Sequence, residues 1–392
     1  MNILLVIADL GLGGAQQVVI NLANEFTRQK HRVWIFDVFP DLREIGMVDR
    51  INSEVKLISK KYNQLKLSKK DKLVDFIFNK FSVKKNRNKL LFKYHEKNLQ
   101  RVLSKTEIDF VNSHVCWADY FVYEHLKSFH NKWIITLHSS YLDFFSFHKN
   151  EQYYQINFLR NAIGVLYLTE KELRIIESHY NFKIKNTNQI LNGVPDFTLK
   201  THLNREMLGL KKTDFILLCA SRAIIEKGWY ELADSVNSLI DNHKEIKLIF
   251  AGDGPIKEEI TKKYKTSNNI SFLGFRNDII QLIRICDLFV LPSYSEALPT
   301  TLIEAVTNQK PVLATNVGEV KRIISNQFGS CGTLLKPSKG IKLTKELTEQ
   351  IMKIKEGKIK VEMKVFEEAK KLFSIKVVAN NYLEFFSKTI KS

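Results

Sequence analysis

Apolar runs of strand length, each followed by a short polar or glycine-bearing loop and then a helical repeat, recur along the chain. Asn2–Ala8 is a buried-strand run, Gly11, Gly13 and Gly14 follow it, and VVINLANEF repeats at helical spacing. His31–Phe39 reads as a second strand, EIDFVNSH ends on His114, and KWIITLHSS ends at His138. AIGVLYLTEKELRII reads as a strand and helix, and ILNGVP (Ile190–Pro195) as a turn. Near residue 200 the pattern restarts with DFILLCASRAIIEKGWYELADSV, then EIKLIFAGDGP and SFLGFRNDIIQLIRICD. Ile285–Leu291 reads as a strand closed by Pro292–Ser293. A helix opens near Pro299 and stops at Gln309–Lys310–Pro311, and PVLATN is a strand buried on both faces. FSIKVVANNYLEFFSK is an amphipathic helix. Doubly buried strands alternating with helices predict an α/β protein with two doubly wound parallel-sheet domains. The predicted divisions are 1–195, 196–375 and a C-terminal helix at 376–392.

Composition narrows this picture. A chain of 392 residues holds two domains of ordinary size. No run of eighteen apolar residues occurs, so no transmembrane helix is expected. The opening MNILLVIADLGLGGA lacks a basic start and reads as a first strand rather than a signal peptide. Cys116, Cys219, Cys286 and Cys331 lie far apart without metal-ligand spacing, which suits packing in a reducing, cytoplasmic compartment. The net charge of +18 is uneven: Lys56–Lys105 carries sixteen Lys or Arg against three acids. Leu73, Val74, Ile77, Phe78 and Phe81 share one helical face there, and Leu91, Tyr94, Leu99, Val102 and Leu103 another. Basic amphipathic helices predict docking on an anionic membrane, so the expected location is the inner face of the plasma membrane. A solvated basic face and a nucleic-acid surface are the competing readings.

The chemistry gathers at strand ends. In a parallel α/β sheet, ligands bind beyond the carboxyl ends of the strands. Free N–H groups at the start of the helix near Pro299 favour phosphate oxygens. Glu296 in the preceding loop and Glu304 on the helix, eight residues apart, can accept hydroxyl hydrogen bonds on either side of a phosphate. This predicts a site for a phosphorylated polyol. A nicotinamide-dinucleotide site at the Gly11 loop with Asp37 competes, but G-x-G-x-x-G needs glycine where Gln16 stands.

SEALPTTLIEA followed by KPVLATNVGE resembles the donor-binding signature of glycosyltransferase family 4, retaining enzymes of the GT-B architecture. The resemblance covers nearly the whole chain, is densest over 214–325 and weakest over 40–105. It implies two Rossmann-like domains facing a cleft, with the C-terminal helix crossing back onto the first. It further implies that Glu296 contacts the donor sugar and Glu304 the ribose hydroxyls. On those roles, removing the charge of Glu296 leaves affinity for a bare nucleotide diphosphate almost unchanged. By the same resemblance, Arg222 and Lys227 neutralise the donor diphosphate, which fits the paired oxygens bound by an arginine fork and the compact charge of lysine. Gly14 matches a glycine that approaches the diphosphate. His138 lies near the transferred sugar, although a structural role stays open for His114 and His138 alike. Phe275–Asn277 matches a segment that reads the base, and Arg276, Ala297, Leu298 and Thr300 are further donor contacts. Leu168–Thr169 and Pro195 depart from the family pattern.

The expected activity is retaining, metal-independent transfer of a sugar from a UDP- or GDP-linked donor to a hydroxyl of a glycan or lipid-linked acceptor. The setting implied is bacterial surface polysaccharide or lipopolysaccharide synthesis. No D-x-D pair occurs in the sequence, and no cofactor or nucleic-acid partner is expected. An NAD-dependent oxidoreductase and a basic nucleic-acid-binding protein are the alternatives. Neither accounts for Arg222, Lys227, Glu296 and Glu304 together.

Overall fold

Continuous apolar runs need cover on both faces, and the chain supplies it by winding helices around two parallel sheets. The computed structural model describes residues 1–61, 64, 84–138, 152–196 and 203–391. These divide into two units, Met1–Gly193 with Val378–Ser392, and Val194–Val377.

In the first unit the strands are β1 (Asn2–Ile7), β2 (Arg32–Asp37), β3 (Lys56–Leu57), β4 (Phe110–His114), β5 (Trp133–Leu137), β6 (Gly164–Tyr167) and β7 (Thr187–Gln189). They form one parallel sheet in the order β3-β2-β1-β4-β5-β6-β7. Helix α1 (Gly14–Arg28) buries Val18, Val19, Leu22 and Phe26, the apolar face that its spacing predicts. Helix α2 (Lys84–Leu103) buries Phe92, Leu99 and Leu103 in the core with Phe36 and Phe121. The apolar face expected at Leu73, Val74, Ile77, Phe78 and Phe81 lies outside the described residues, as does much of the basic stretch.

In the second unit β8 (Phe215–Ala220), β9 (Ile246–Ala251), β10 (Ile270–Phe272), β11 (Leu288–Leu291), β12 (Val312–Thr315) and a later strand, Gly332–Leu335, run parallel in the order β10-β9-β8-β11-β12 and then that strand. A short antiparallel pair, β13 (Ser325–Asn326) with β14 (Gly329–Ser330), precedes it, which makes Gly332–Leu335 β15. Helix α3 (Trp229–Asn237) follows β8, α4 (Ile279–Ile285) precedes β11, and α5 (Thr300–Thr307) follows it. Both sheets thus reverse winding direction between their first strand and the fourth, so each has a switch point where ligands collect: β1/β4 and β8/β11.

The C-terminal helix α6 (Ile375–Lys391) supplies Tyr382, Phe385 and Phe386 to the first unit. Phe386 lies 4.7 Å from Phe110 and Tyr382 6.5 Å from Phe26, ring centre to ring centre. One predicted strand is corrected. Ile285 ends α4, and β11 begins only at Leu288. Asp287 separates them, because its carboxylate accepts the Ile216 N–H (2.8 Å) and pairs with Arg205 (2.7 Å). All four cysteines are free and buried, and burial pushes the thiols of Cys219, Cys286 and Cys331 up to about 12. They pack and stay inert.

Candidate active site

Arg222, Lys227, Glu296, Ala297, Leu298, Thr300 and Glu304, seven of the sequence-predicted donor residues, follow the two strands of the β8/β11 switch point. Arg222 follows the end of β8, and its side chain is exposed. Lys227 follows in a short turn, Ile225–Lys227, that ends at Gly228. After β11, the loop Pro292–Pro299 carries Glu296 and leads into α5, whose first turn has no side-chain cap and so leaves its N–H groups available. Lys227 Nζ donates to Glu296 Oε1 at 2.5 Å.

Backbone contacts hold the two loops together. Gly228 has φ 66°, and a Cβ there would stand 2.3 Å from the Pro292 carbonyl oxygen, so only glycine fits. The Tyr294 N–H donates to the Glu226 carbonyl at 2.8 Å. On the other side, Glu319 N–H donates to Ala297 O at 2.9 Å, and a Cβ at Gly318 would stand 2.1 Å from Glu296 O. Thr315 Oγ1 donates to Ser293 O, the hydroxyl reaching back from the end of β12. The carbon frame beneath Lys227 and Glu296 is therefore set by main chain rather than by flexible side chains.

The other predicted residues fall into place unevenly. Glu304 is half-buried on α5, and Thr300 is its first residue. Leu298 is buried at 4% exposure, so its side chain is core. Arg276 grips Asp278 through two contacts of 2.8 and 2.5 Å rather than standing open. Phe275 beside it is exposed. Sequence reasoning missed Tyr294 and Glu231. The Tyr294 hydroxyl donates to Glu231 Oε1, which also accepts the Gly340 N–H at 3.0 Å. Burial, then the Glu231 carboxylate, push the phenol up. A buried acid in the first turn of α3, within WYELAD, was the available signal.

Gly14 and His138 belong to the first unit. Gly14 is exposed at the first residue of α1. His114 ends β4, His138 follows β5, and the structure brings them together: His114 Nδ1 and His138 Nε2 are 2.7 Å apart. Burial lowers both, His114 well below the ordinary range and His138 to about 4, so both are neutral near pH 7 and one nitrogen donates to the other. His114 Nε2 is buried with no partner among the described residues.

The dinucleotide alternative meets a physical obstacle. Asp37 is fully buried, with Arg43 forked onto it at 2.7 and 2.6 Å and the Ser59 hydroxyl donating to it. A carboxylate so held is not available to a ribose. The glycine turn is likewise filled by Asp9, which accepts from Gly11 N–H (2.8 Å) and Gln16 (3.1 Å). Among the described residues, no group of three His, Cys, Asp or Glu is arranged to hold a metal, and no helix is long and apolar enough to cross a membrane.

A glycosyltransferase of two parallel-sheet units is the class to which the fold and the family models point. The family model for Glycosyl transferases group 1 matches residues 200–372, and that for Glycosyltransferase Family 4 matches 12–196. The chain belongs to this glycosyltransferase family, with the GT-B architecture. It is 36% identical over 154 residues to TuaC of Bacillus subtilis (strain 168), named for teichuronic acid biosynthesis, covering 38% of this chain and 37% of that protein. It is 28% identical over 135 residues to an Escherichia coli UDP-Gal:alpha-D-GlcNAc-diphosphoundecaprenol alpha-1,3-galactosyltransferase, covering 33% of this chain and 35% of that one. The chain thus spans well under half the length of these curated relatives. Among solved structures, Anabaena HepE in complex with UDP-glucose superposes with TM-score 0.71 at 19% identity, covering 99% of this chain and 100% of that one. At that identity the likeness shows the fold.

Proposed function

We propose that this chain transfers a sugar from a nucleotide diphosphate donor, UDP- or GDP-linked, to a hydroxyl of a glycan or lipid-linked acceptor, with retention and without a metal. The observation that carries the reading is Lys227 paired with Glu296 in the loops of one switch point, with Arg222 two residues beyond the end of β8 and the start of α5 four residues beyond Glu296. The diphosphate would lie between the two cations and the helix N–H groups, which stabilise charge growing on the leaving phosphate. That role leaves no task for a divalent ion. Glu304 would hold the ribose hydroxyls, and Glu296 the sugar beside the breaking bond. No side chain is assigned as a covalent nucleophile; the leaving phosphate would accept the proton of the attacking hydroxyl on the same face. Relatives named for teichuronic acid, for a diphosphoundecaprenol-linked acceptor and for lipopolysaccharide support a role in surface-polymer or lipopolysaccharide synthesis.

Saturation-transfer binding of UDP-, GDP- and ADP-sugars, with and without EDTA, tests the donor. One nucleotide class should bind with EDTA present. Binding of none of them would overturn the reading, and a product of inverted anomeric configuration would overturn retention.

A further inference from the structure

Lys227 and Glu296 are given opposite tasks at this site, yet each is the other's partner. Their side chains are only 15% and 11% exposed, so water screens the pair weakly. Gly228 against Pro292 O, Tyr294 N–H on Glu226 O and Gly318 against Glu296 O hold their backbones in place. The loops cannot simply drift apart when a ligand arrives. Lys227 can reach a diphosphate only by leaving Glu296 or by sharing its ammonium with it.

We propose that Glu296 makes the site discriminate between a nucleotide sugar and the bare nucleotide diphosphate, by competing with the diphosphate for Lys227. This rests on the donor site proposed above. If the ammonium moves wholly to the diphosphate, a little-exposed carboxylate loses its counter-charge, which is strongly unfavourable. If the ammonium is shared, two anions stand side by side and repel. Either geometry opposes a ligand that brings phosphate and nothing else. A nucleotide sugar brings hydroxyls as well, and these donate charge-assisted hydrogen bonds to the carboxylate as Lys227 departs. After transfer the sugar is gone, Glu296 lacks a donor again, and return of Lys227 to it favours release of the nucleotide. One carboxylate thus selects the whole donor and expels the spent one.

Calorimetric titration of the full chain with UDP, GDP and ADP tests this, using wild type, Glu296→Gln, Lys227→Met and the double variant. Removing the competitor should tighten the preferred nucleotide in Glu296→Gln by about tenfold. Lys227→Met should weaken it, and in that background Glu296→Gln should bring no gain. Product inhibition by the same nucleotide should strengthen in Glu296→Gln. Unchanged or weaker binding by Glu296→Gln, with binding still lost in Lys227→Met, would overturn the competition and leave the donor site standing. A gain that persists without Lys227 would likewise overturn it. If no nucleotide diphosphate binds wild type, the donor site itself is wrong. Thermal melts check folding, and Glu296→Ala replaces Glu296→Gln if that variant does not fold.

Discussion

At the scale of single residues, charge placement decides what each side chain can contribute. Arg222→Ala or Lys227→Ala should each remove a charge-assisted contact of about 1.5–3 kcal/mol, which lowers kcat/KM about ten- to a hundredfold. Steady-state kinetics with donor below KM checks this, and near wild-type turnover in both would show the clamp misassigned. Glu304→Gln should mainly raise donor KM and weaken the bare nucleotide by a similar factor, because a ribose contact is made equally in ground and transition states. A fall in kcat alone would contradict it. Sequence alone leaves bare-nucleotide affinity almost unchanged in Glu296→Gln, whereas the competition proposed for Lys227 expects a gain. The spacing E-x7-E names both glutamates but not the partner 69 residues away that one of them holds. The histidines give a pH signature. Burial lowers His138 to about 4, whereas an unfolded histidine protonates near pH 6.5. Between those values the unfolded chain binds the extra proton, so the contribution is complete above pH 6.5 and is lost as pH falls towards 4. The slope is about 1.4 kcal/mol per pH unit for one such group. Denaturation midpoints of His138→Gln should therefore fall less steeply than wild type from pH 7 to 4.5. Parallel curves would mean that the ring is not held neutral.

At the scale of elements, most of the fold was legible because buried parallel strands write themselves as unbroken apolar runs. Asn2–Ala8 and PVLATN each name a strand within one residue at either end, and EIDFVNSH starts three residues early but ends on the right residue. The edges were not legible. β3 is two residues long and β7 is the polar triplet Thr187–Gln189, so neither carries an apolar signal. The run Ile285–Leu291 misled for the opposite reason: the end of a buried helix and a buried strand look alike until Asp287 is seen to interrupt them. The loop Pro292–Pro299 was placed correctly, but its clamping by neighbouring main chain is a long-range fact that no local pattern encodes. That clamp makes a prediction. Gly318 has φ 54° and its Cβ would overlap the carbonyl oxygens of Glu296 and Ala297, at 2.1 and 2.5 Å. Gly318→Ala should destabilise the second unit by more than about 1 kcal/mol and lower kcat by moving Glu296. A variant with wild-type melting and turnover would show that the loop tolerates displacement.

For the whole molecule, two features outrun any single site. The net charge of +18, concentrated over Lys56–Lys105, underlies the proposed docking on anionic membrane. Sedimentation with anionic liposomes should be strong at low salt and fade as salt rises. Replacing Lys69, Lys70, Lys84 and Lys85 by Gln should weaken it by up to about 4 kcal/mol. Equal binding to neutral and anionic vesicles would remove the idea. The second feature is the way the units divide the chain. Val194–Val377 is contiguous, whereas the first unit is interrupted and takes its last piece from Val378–Ser392. Chains emerge from the ribosome N-terminus first, and units generally fold as they become available. The seven-stranded sheet is therefore made early, but Phe26, Phe110 and the bare surface at Gly164 wait for Tyr382, Phe386 and Phe385. The intervening unit can complete its own core meanwhile. On the ribosome, the half that is translated first is the half that is finished last.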